Sequence, residues 1–355
     1  MDAAYESHIN KSSDGVLLLN LGGPETLADI RPFLYRLFSD PEIIRIKNPV
    51  LRRMLAWTIS RTREKKSQNL YRQIGGGSPL RKITEAQGQA MELKLTTLKT
   101  PARVYVGMLC WKPFIDEACA RILSDGIKRL VVLPLFPQYS GTTTGACFLH
   151  IKTLDRRCGL SSKIAISCVR DWYEHPLYLE TMVDLIEAGL KKFPEIEQSK
   201  THILYSAHSL PEKYVADGDP YLDQIKNCVA GINKKLKERR VVQDSVPCEF
   251  SIGFQSKVGP VKWLEPSTEK VIRDLAQRGV KRILVVPVSF VSDHIETLQE
   301  LDIAYRKLAE KLGIAEFRRT EAMNLHPKFI SALADMAQKH LMAMPSGIQP
   351  DNLHR

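Results

Sequence analysis

Two stretches of the chain decide the fold: Gly126-Ile-Lys-Arg-Leu-Val-Val-Leu-Pro134 and its near copy Gly279-Val-Lys-Arg-Ile-Leu-Val-Val-Pro287. In each, a glycine and a Lys-Arg pair lead into an apolar run that ends at proline. A continuously apolar run is typical of a strand that is buried on both faces of a parallel sheet. Because the whole stretch recurs, the sequence predicts two similar halves.

Two further pairs of segments repeat in the same order. Tyr105-Val-Gly-Met108 resembles Ser251-Ile-Gly-Phe254, and each is followed by a tryptophan, a proline and a helical pattern. The first strand of each half ends at a Pro-Glu turn. We therefore predict halves at residues 14–170 and 171–340, with loose tails at 1–13 and 342–355.

Apolar runs alternate with amphipathic patterns along the whole chain. Helical patterns cover Thr84–Leu98, Leu177–Phe193, Tyr221–Arg239 and Thr268–Arg278. Strands are predicted at Val16–Asn20, Val104–Met108, Leu130–Leu135, Ile164–Val169, Ile203–Ser206, Phe250–Phe254 and Ile283–Val288. This alternation predicts an α/β fold with two doubly wound parallel sheets, Rossmann-like or flavodoxin-like, and a cleft between the two halves.

Composition limits the class of protein. The 355 residues carry a formal net charge of +11, which fits nucleic acid, an anionic membrane surface, a small acidic ligand or no charged partner at all. Seven cysteines without a C-x-x-C pair argue against a disulfide framework and a structural zinc site. Without an apolar leader or membrane span in the sequence, we expect a soluble protein of the reducing cytoplasm.

A histidine lies at the predicted carboxyl end of a strand, where ligands bind in open parallel sheets. His208 occurs in Ser206-Ala-His-Ser-Leu-Pro211. Histidine at such a place can accept a proton near neutral pH or bind a metal. The alternative is an ordinary turn histidine that is hydrogen-bonded to backbone. In the first half, the matching position is Leu21, which cannot titrate.

An acidic segment follows the strand at Ile283. A helix that starts near Asp293 would place Asp293, Glu296 and Glu300 on one face. Neighbouring carboxylates repel one another, which raises some of their pKa values and suits them to pass protons or hold a cation. The alternative is that Asp293-x-x-Glu296 is a plain capping box, and both interpretations can hold in part.

Three further segments have open interpretations. Gln138–Gly145 is rich in hydroxyls and glycine and could bind an anion on backbone N–H groups. Gly75-Gly-Gly-Ser-Pro79 lacks the ending of a phosphate loop and is better explained as a tight turn. Residues 33–60 form either an ordinary helix that faces the core or a basic amphipathic lip over a membrane or a flat apolar ligand.

Taken together, the ordered motifs resemble the ferrochelatase family over about residues 16 to 335. They are Leu19-Asn-Leu-Gly-Gly-Pro-Glu-Thr26, Tyr71-Arg-Gln-Ile-Gly-Gly-Gly-Ser-Pro79, Pro137-Gln-Tyr-Ser140, Ser206-Ala-His-Ser-Leu-Pro211, Phe254-Gln-Ser-Lys-Val-Gly-Pro260 and Ser292-Asp-His-Ile-Glu-Thr-Leu-Gln-Glu-Leu-Asp302. The resemblance implies a lyase of haem and porphyrin biosynthesis that inserts Fe²⁺ into protoporphyrin IX and forms protohaem. It also implies that Fe²⁺ is a substrate and that no cofactor is tightly bound.

The resemblance implies roles for individual residues. His208 matches the histidine at the insertion site, Glu296 matches the carboxylate that faces it across the macrocycle, and both match metal contacts. Asp293, His294 and Glu300 match neighbours of Glu296 in an acidic path. Porphyrin-binding positions are matched by Leu21, Leu34, Leu37, Phe38, Arg63, Tyr71, Ser78 and Trp263. His175 and Asp335 match further polar positions. Neither nucleic acid nor a membrane span is implied, although peripheral contact with the inner face of a membrane is an alternative.

The chain also departs from the family pattern. Leu109-Cys110 stands where many members have Arg-Tyr, so a polar porphyrin contact is either absent or supplied by Lys112. Gly141 stands at the additional cysteine of iron–sulfur members, and the last cysteine is Cys248, so we expect no cluster. Leu21 stands where members that act on coproporphyrin have tyrosine, which favours protoporphyrin IX. Competing hypotheses are a chelatase for another tetrapyrrole or metal, a non-catalytic porphyrin carrier, and a two-lobed sugar- or nucleotide-binding protein.

Overall fold

A computed structural model describes residues 12–198, 200–239, 241, 249–259 and 261–344. Residues 1–11 and 345–355 of the predicted tails lie outside this described part, as do Cys248 and Pro260. The chain folds into two compact units. Unit 1 contains residues up to Trp172 and from Asn324 onwards, and unit 2 runs from Tyr173 to Met323.

Each unit is built on a four-stranded parallel sheet. In unit 1 the strands are β1 (Asp14–Asn20), β2 (Arg103–Met108), β3 (Arg129–Pro134) and β4 (Ala165–Cys168), in the order β2-β1-β3-β4. In unit 2 they are β5 (His202–His208), β6 (Phe250–Gln255), β7 (Arg282–Pro287) and β8 (Glu316–Arg319), in the order β6-β5-β7-β8. All strand pairs are parallel. The predicted α/β class with two similar parallel sheets is therefore confirmed.

Helices flank both sheets. In unit 1 they are α1 (Ile30–Ser39), α2 (Pro49–Arg72), α3 (Leu80–Thr97), α4 (Ile115–Ser124), a short π-helix π1 (Gly141–Gly145), α5 (Ala146–Cys158) and α12 (Pro327–Ala343), with a 3₁₀ turn at Leu27–Asp29. In unit 2 they are α6 (Pro176–Leu190), α7 (Glu195–Gln198), α8 (Glu212–Ala216), α9 (Tyr221–Glu238), α10 (Thr268–Gln277), a π-helix π2 (Glu296–Tyr305) and α11 (Arg306–Lys311). Among the described helices, none is both long and apolar enough to cross a membrane.

Strand register shows that the two units repeat the same plan. Leu19 pairs with Gly107 in unit 1, and Ser206 pairs with Gly253 in unit 2. Both glycines lie against the first residue of the following helix, which is Ile115 for Gly107 and Thr268 for Gly253. A Cβ atom would lie 3.2 Å from the Ile115 Cα in the first case and 2.8 Å from the Thr268 Cα in the second. Because Leu19 corresponds to Ser206, Leu21 corresponds to His208, as the sequence predicted.

The last helix requires a correction. The second half was predicted to extend to residue 340, but α12 belongs to unit 1, where it packs against α3 and β3. Its buried face includes Phe329 and Leu333, and Phe329 stacks on Trp172 with ring centroids 6.0 Å apart. The apolar face of α12 is thus covered by the first sheet, and chain order alone could not reveal this return.

Strand β8 was not predicted. Its sequence Glu-Phe-Arg-Arg has a single apolar residue, Phe317, because the strand lies at the edge of the sheet beside β7. An edge strand is short and carries charged side chains, so it lacks the apolar run that identifies a central strand. Arg319, the last residue of β8, proves important for the neighbouring site.

Candidate active site

His208 is the last residue of β5, at the carboxyl end of a central strand. Its backbone is held on both sides. The His208 N–H donates to the Ser289 hydroxyl at 2.9 Å, and the His208 carbonyl accepts from the Tyr221 hydroxyl at 3.0 Å. These contacts from the segments after β7 and at the start of α9 fix the direction in which the imidazole leaves the sheet, while its side chain stays 37% exposed.

The imidazole makes a close contact with a carboxylate. His208 Nδ1 lies 2.8 Å from Glu296 Oε2, so the prediction that these side chains face each other across a macrocycle is wrong. Burial lowers the pKa of His208, but the Glu296 charge and hydrogen bond outweigh it and leave that pKa raised. Burial also opposes ionisation of Glu296, yet the charge of His208 lowers the pKa of Glu296 to about 2. Glu296 is therefore an anion that stabilises a proton on the histidine, and the Nε2 atom remains for exchange.

A serine that sequence analysis did not single out joins two carboxylates. The Ser256 Oγ lies 2.8 Å from Glu296 Oε2 and 2.5 Å from Glu300 Oε2, and the Ser256 N–H donates to Glu300 Oε1 at 3.0 Å. Ser256 has φ +66°, a left-handed conformation that is costly for a residue with a side chain. Ser256 follows the last residue of β6, so the rule of examining residues after each strand could have identified it.

The pKa of Glu300 is shifted in the opposite direction from that of Glu296. Burial and the negative charge of Glu296 raise the pKa of Glu300, while the Tyr305 hydroxyl donates to Glu300 Oε1 at 2.9 Å. Ser256 has one hydroxyl proton and can donate it to only one carboxylate at a time. The contacts His208–Glu296–Ser256–Glu300–Tyr305 thus form a continuous hydrogen-bonded series that begins at the exposed imidazole.

The predicted alignment of three carboxylates on one face is wrong for Asp293. Helix π2 begins only at Glu296, and the Asp293 side chain lies 3.2 Å from Arg319 and accepts from the Thr297 hydroxyl at 3.0 Å. The Glu296 carboxylate contacts His208 and Ser256, as described above, so it is not the partner in a plain capping box. Only Glu296 and Glu300 are brought together, since a buried arginine attracts Asp293 to another contact.

His294 lies beside the histidine–carboxylate pair without joining it. Its Nδ1 is 3.0 Å from the Ser292 carbonyl, and its ring lies 4.4 Å from the ring of Phe290. Burial lowers the pKa of His294 although Glu296 opposes that shift. His294 is therefore a neutral ring that packs on Phe290, and Phe290 in turn meets His208 edge to face.

Trp263 also lies in unit 2, in an antiparallel bridge with Pro211 of the loop after His208. The described residues provide no hydrogen-bond partner for its buried indole Nε1. His175 immediately precedes α6. Asp335, by contrast, lies on α12 of unit 1, where it pairs with Lys339 at 2.7 Å.

The remaining predicted porphyrin positions lie in unit 1. Leu34 and Phe38 of α1 are buried, Leu37 is half-buried, and the Arg63 guanidinium lies 5.8 Å from the centre of the Phe38 ring. Burial lowers the pKa of Arg63. The apolar residues exposed in this region instead lie on α2: Val50, Leu51, Met54, Leu55 and Trp57. The lip interpretation therefore suits α2 better than the α1 residues that were predicted for it.

The glycine-rich loop is a tight turn, as predicted. Gly75 and Gly76 have φ of +99° and +92°, and a Cβ atom on Gly77 would collide with the Glu25 carbonyl. Ser78 donates its N–H to the Pro24 carbonyl at 2.7 Å. Tyr71 is buried near the end of α2, and Leu21 is half-buried.

The structure shows the surroundings of the residues that depart from the family pattern. Cys110 is buried and donates its N–H to the Leu21 carbonyl, and burial raises the pKa of its thiol well above the usual range. Lys112 is exposed. Gly141 begins π1 in the hydroxyl-rich turn, at the same point of the fold as π2 in unit 2. Within the described residues, no group of three or more His, Cys, Asp and Glu side chains could hold a metal ion.

Comparison with known proteins finds one matching family and similar chains. A family model described as Ferrochelatase matches residues 13–341. The chain is 49% identical to the ferrochelatase of Gloeothece citriformis over 323 residues, which are 91% of this chain and 81% of that protein. It is 48% identical to the ferrochelatase of Synechocystis sp. over 332 residues, or 93% of this chain and 83% of that protein.

Among solved structures, SirB from Bacillus subtilis with Fe³⁺ is similar, with a TM-score of 0.52 and 14% identity over 95% of this chain and 99% of that chain. At this level of identity the likeness concerns the fold alone.

Proposed function

This chain belongs to the ferrochelatase family and is an enzyme that inserts iron into a porphyrin, and we propose that its substrates are Fe²⁺ and protoporphyrin IX. The observation that carries the proposed mechanism is the contact between His208 and Glu296 at the carboxyl end of β5. In the reaction Fe²⁺ replaces two pyrrole N–H protons, and no electron is transferred. The protein must therefore accept two protons and deliver a cation that has lost its water.

The imidazole of His208 is the proton acceptor. Its Nδ1–H donates to Glu296, so Nε2 is the nitrogen that takes a pyrrole proton. The anionic Glu296 stabilises the resulting imidazolium, because opposite charges at hydrogen-bond distance favour the charged form. General base catalysis of this kind accelerates a reaction by about 10²- to 10⁴-fold.

Protons leave through the carboxylate pair. Ser256 donates its hydroxyl proton to one carboxylate and accepts from the other, so a proton can pass between Glu296 and Glu300 without movement of either backbone. The raised pKa of Glu300 makes it the member of the pair that holds the proton. The Tyr305 hydroxyl donates to Glu300 and favours its ionised form, so it partly offsets the raised pKa of Glu300 and assists release of the proton.

Fe²⁺ is a substrate in this proposal, and its contacts on the protein are Glu296 and, before Nε2 takes a pyrrole proton, His208. Carboxylate oxygen and imidazole nitrogen are both suitable ligands for ferrous iron. Asp293 and His294 act indirectly: Asp293 holds the start of π2, and neutral His294 packs on Phe290 beside His208. Leu21, Arg63, Tyr71, Ser78 and Trp263 are proposed to contact the porphyrin, with Arg63 for a propionate.

We propose that the enzyme has no resident cofactor and no iron–sulfur cluster. Gly141 stands at the position where iron–sulfur members carry a cysteine, and residues 249–355 contain no cysteine. Iron analysis and an absorption spectrum of purified protein test this proposal. Stoichiometric iron with visible absorption bands would overturn it.

We propose that the protein is located in the cytoplasm and that α2 contacts the inner face of the membrane peripherally. Val50, Met54 and Trp57 are all more than half exposed on this helix, which also carries Arg53 and Arg61. Apolar area beside basic residues favours anionic lipid surfaces. Met54→Glu is expected to reduce sedimentation with anionic phospholipid vesicles, whereas Leu93→Glu, at an exposed position on α3, serves as the control. Equal sedimentation of all three proteins would rule out α2 as the contact.

The central test measures the insertion of Fe²⁺, Co²⁺ and Zn²⁺, each in turn, into protoporphyrin IX and into coproporphyrin. The change in porphyrin fluorescence gives the rate of insertion. The parent protein should form protohaem with Fe²⁺, and His208→Ala should lower the rate by at least about 100-fold. His150→Ala is the control, because His150 is a partly exposed histidine of unit 1 that pairs with Asp116. A fully active His208→Ala variant would exclude the proposed mechanism, and porphyrin binding without insertion by the parent would indicate a carrier.

A further inference from the structure

An arginine that enters from the edge strand contacts both ends of the acidic segment. Arg319 Nη1 lies 3.2 Å from Asp293, before π2, while Nη2 and Nε lie 2.7 and 3.0 Å from Asp302, within π2. Glu296 and Glu300 lie between these two aspartates in the chain. One guanidinium therefore joins the residues that bracket both carboxylates of the candidate site.

The Arg319 contact is nearly shielded from water. The Arg319 side chain is only 9% exposed, compared with 20% for Asp293 and 24% for Asp302. Burying a guanidinium is costly unless its donors are satisfied, and this one also donates to the Thr320 carbonyl at 3.1 Å. A planar fork that reaches two carboxylates and a carbonyl restricts all three partners in direction as well as in distance.

The Arg319 contact spans the beginning of π2. Asp293 is tied to the first turn of π2 by the Thr297 hydroxyl, and Asp302 lies further along the same helix. Asp302 lies six residues after Glu296, where π2 begins, so it is more than one turn into the helix. The Arg319 fork therefore connects the backbone before π2 to a side chain beyond its first turn.

The geometry points to Arg319 as a positioning residue: by joining Asp293 to Asp302 it fixes the start of π2 against the middle of that helix, and so keeps Glu296 and Glu300 on Ser256. This inference rests on the proposed function, because it explains how the carboxylates of that site are held. Arg319 itself contacts neither Ser256 nor His208. Glu296 and Glu300 lie four residues apart between these two anchoring contacts, and both carboxylates contact the Ser256 hydroxyl.

The test compares three variants with the parent enzyme. Arg319→Met removes both contacts at similar length, Arg319→Lys keeps the charge without the fork, and Arg306→Met is the matched control, because Arg306 reaches Asp302 alone at 3.4 Å from an exposed position. We expect Arg319→Met to lower kcat for Zn²⁺ insertion by about 10- to 100-fold, as a small misplacement of reacting groups does. KM for the porphyrin should change little, Arg319→Lys should recover part of the loss, and Arg306→Met should match the parent.

A double variant separates positioning from simple charge balance. Arg319→Met leaves Asp302 without its main cation, so some loss of thermal stability is expected in any case. Arg319→Met with Asp302→Asn removes that uncompensated charge and should regain stability while kcat stays low. If the double variant regains full kcat, Arg319 serves only to neutralise Asp302, and the inference is overturned.

Hydrogen–deuterium exchange tests whether Arg319 holds this segment, independently of catalysis. Amides of residues 296–305 should exchange faster in Arg319→Met than in Arg306→Met, while amides of α10 should not change. Unaltered exchange in that segment would overturn the inference even if activity falls. Failure of the proposed function is recognised separately, because then the parent protein itself would not insert metal.

Discussion

The Nδ1 atom of His208 and the Oε2 atom of Glu296 lie 2.8 Å apart, although 88 residues separate them in the chain. His208 ends β5, and Glu296 begins π2 after the adjacent strand β7. Two parallel neighbouring strands thus bring a base and an acid to the same edge of one sheet. Each group changes the charge state of the other, which makes the pair suitable for moving protons.

Removal of the Glu296 charge should shift the pH profile of metal insertion. Glu296 raises the pKa of His208, and a base works only when it is neutral, so the acid limb of the parent profile reflects this raised value. Glu296→Gln should move the acid limb to lower pH and lower kcat by at least about tenfold. The measurement is kcat against pH for Zn²⁺ insertion. An unchanged acid limb would show that His208 is not the titrating base.

The same pair should contribute to stability within a limited pH range. The raised pKa of His208 means that its contribution is complete below the unfolded value near 6.5 and is lost as pH rises through the folded pKa. The pKa of Glu296, lowered to about 2, means that its contribution is present above the unfolded value near 4.5 and is lost as pH falls through 2. The Tm difference between the parent and Glu296→Gln should therefore be largest between pH 4.5 and 6.5. A difference that grows above pH 8 would contradict this assignment.

Two substitutions of Ser256 separate the role of its hydroxyl in catalysis from the effect of its left-handed backbone conformation on stability. Ser256→Ala removes the Oγ atom that both carboxylates contact, and metal insertion should slow by about 10- to 100-fold. Ser256→Gly removes the same atom but suits the left-handed backbone at φ +66°, so it should be at least as stable as Ser256→Ala while equally slow. Rates and Tm values of both variants are the measurements. A fast glycine variant would show that the hydroxyl is dispensable.

Leu21 offers a test of porphyrin choice. It occupies in unit 1 the place that His208 occupies in unit 2, and it is half-buried beside the Gly22–Pro24 turn. Leu21→Tyr should lower kcat/KM for protoporphyrin relative to coproporphyrin by about tenfold, because a hydroxyl then replaces apolar surface next to the ring. Leu21→Met, which keeps apolar character and similar size, is the control. Equal ratios in all three proteins would separate Leu21 from substrate choice.

His202, at the opposite end of β5, should make the fold sensitive to acid. Burial lowers its pKa to about 4, and its side chain is 3% exposed. Since the unfolded chain binds this proton near pH 6.5, its contribution to stability is present above that pH and is lost as pH falls towards 4. The parent should lose about 2 kcal/mol more unfolding free energy between pH 7 and pH 5 than His202→Asn. Denaturant titrations at both pH values measure this, and equal losses would show that His202 does not titrate in this range.

Much of the fold follows from the sequence because buried parallel strands need continuous apolar runs. The repeat of Gly126–Pro134 at Gly279–Pro287 predicted two similar sheets, and the register of β1 and β5 confirms the predicted correspondence of Leu21 and His208. The edge strand β8 and the return of α12 to unit 1 could not be predicted. Edge strands carry a weak apolar pattern, and helix packing depends on complementary surfaces that are far apart in the chain.

The sequence by itself determined which residue types stand after each strand: a histidine, a serine and an acidic segment. Only the tertiary structure decided their partners. It placed Glu296 and Glu300 on Ser256, and it turned Asp293 away to Arg319, because a buried guanidinium must be neutralised by nearby carboxylates. It also wound the acidic segment as a π-helix, whose spacing differs from the α-helical spacing assumed for the sequence. Residue identity is local, whereas charge pairing and helix winding depend on atoms supplied by other strands.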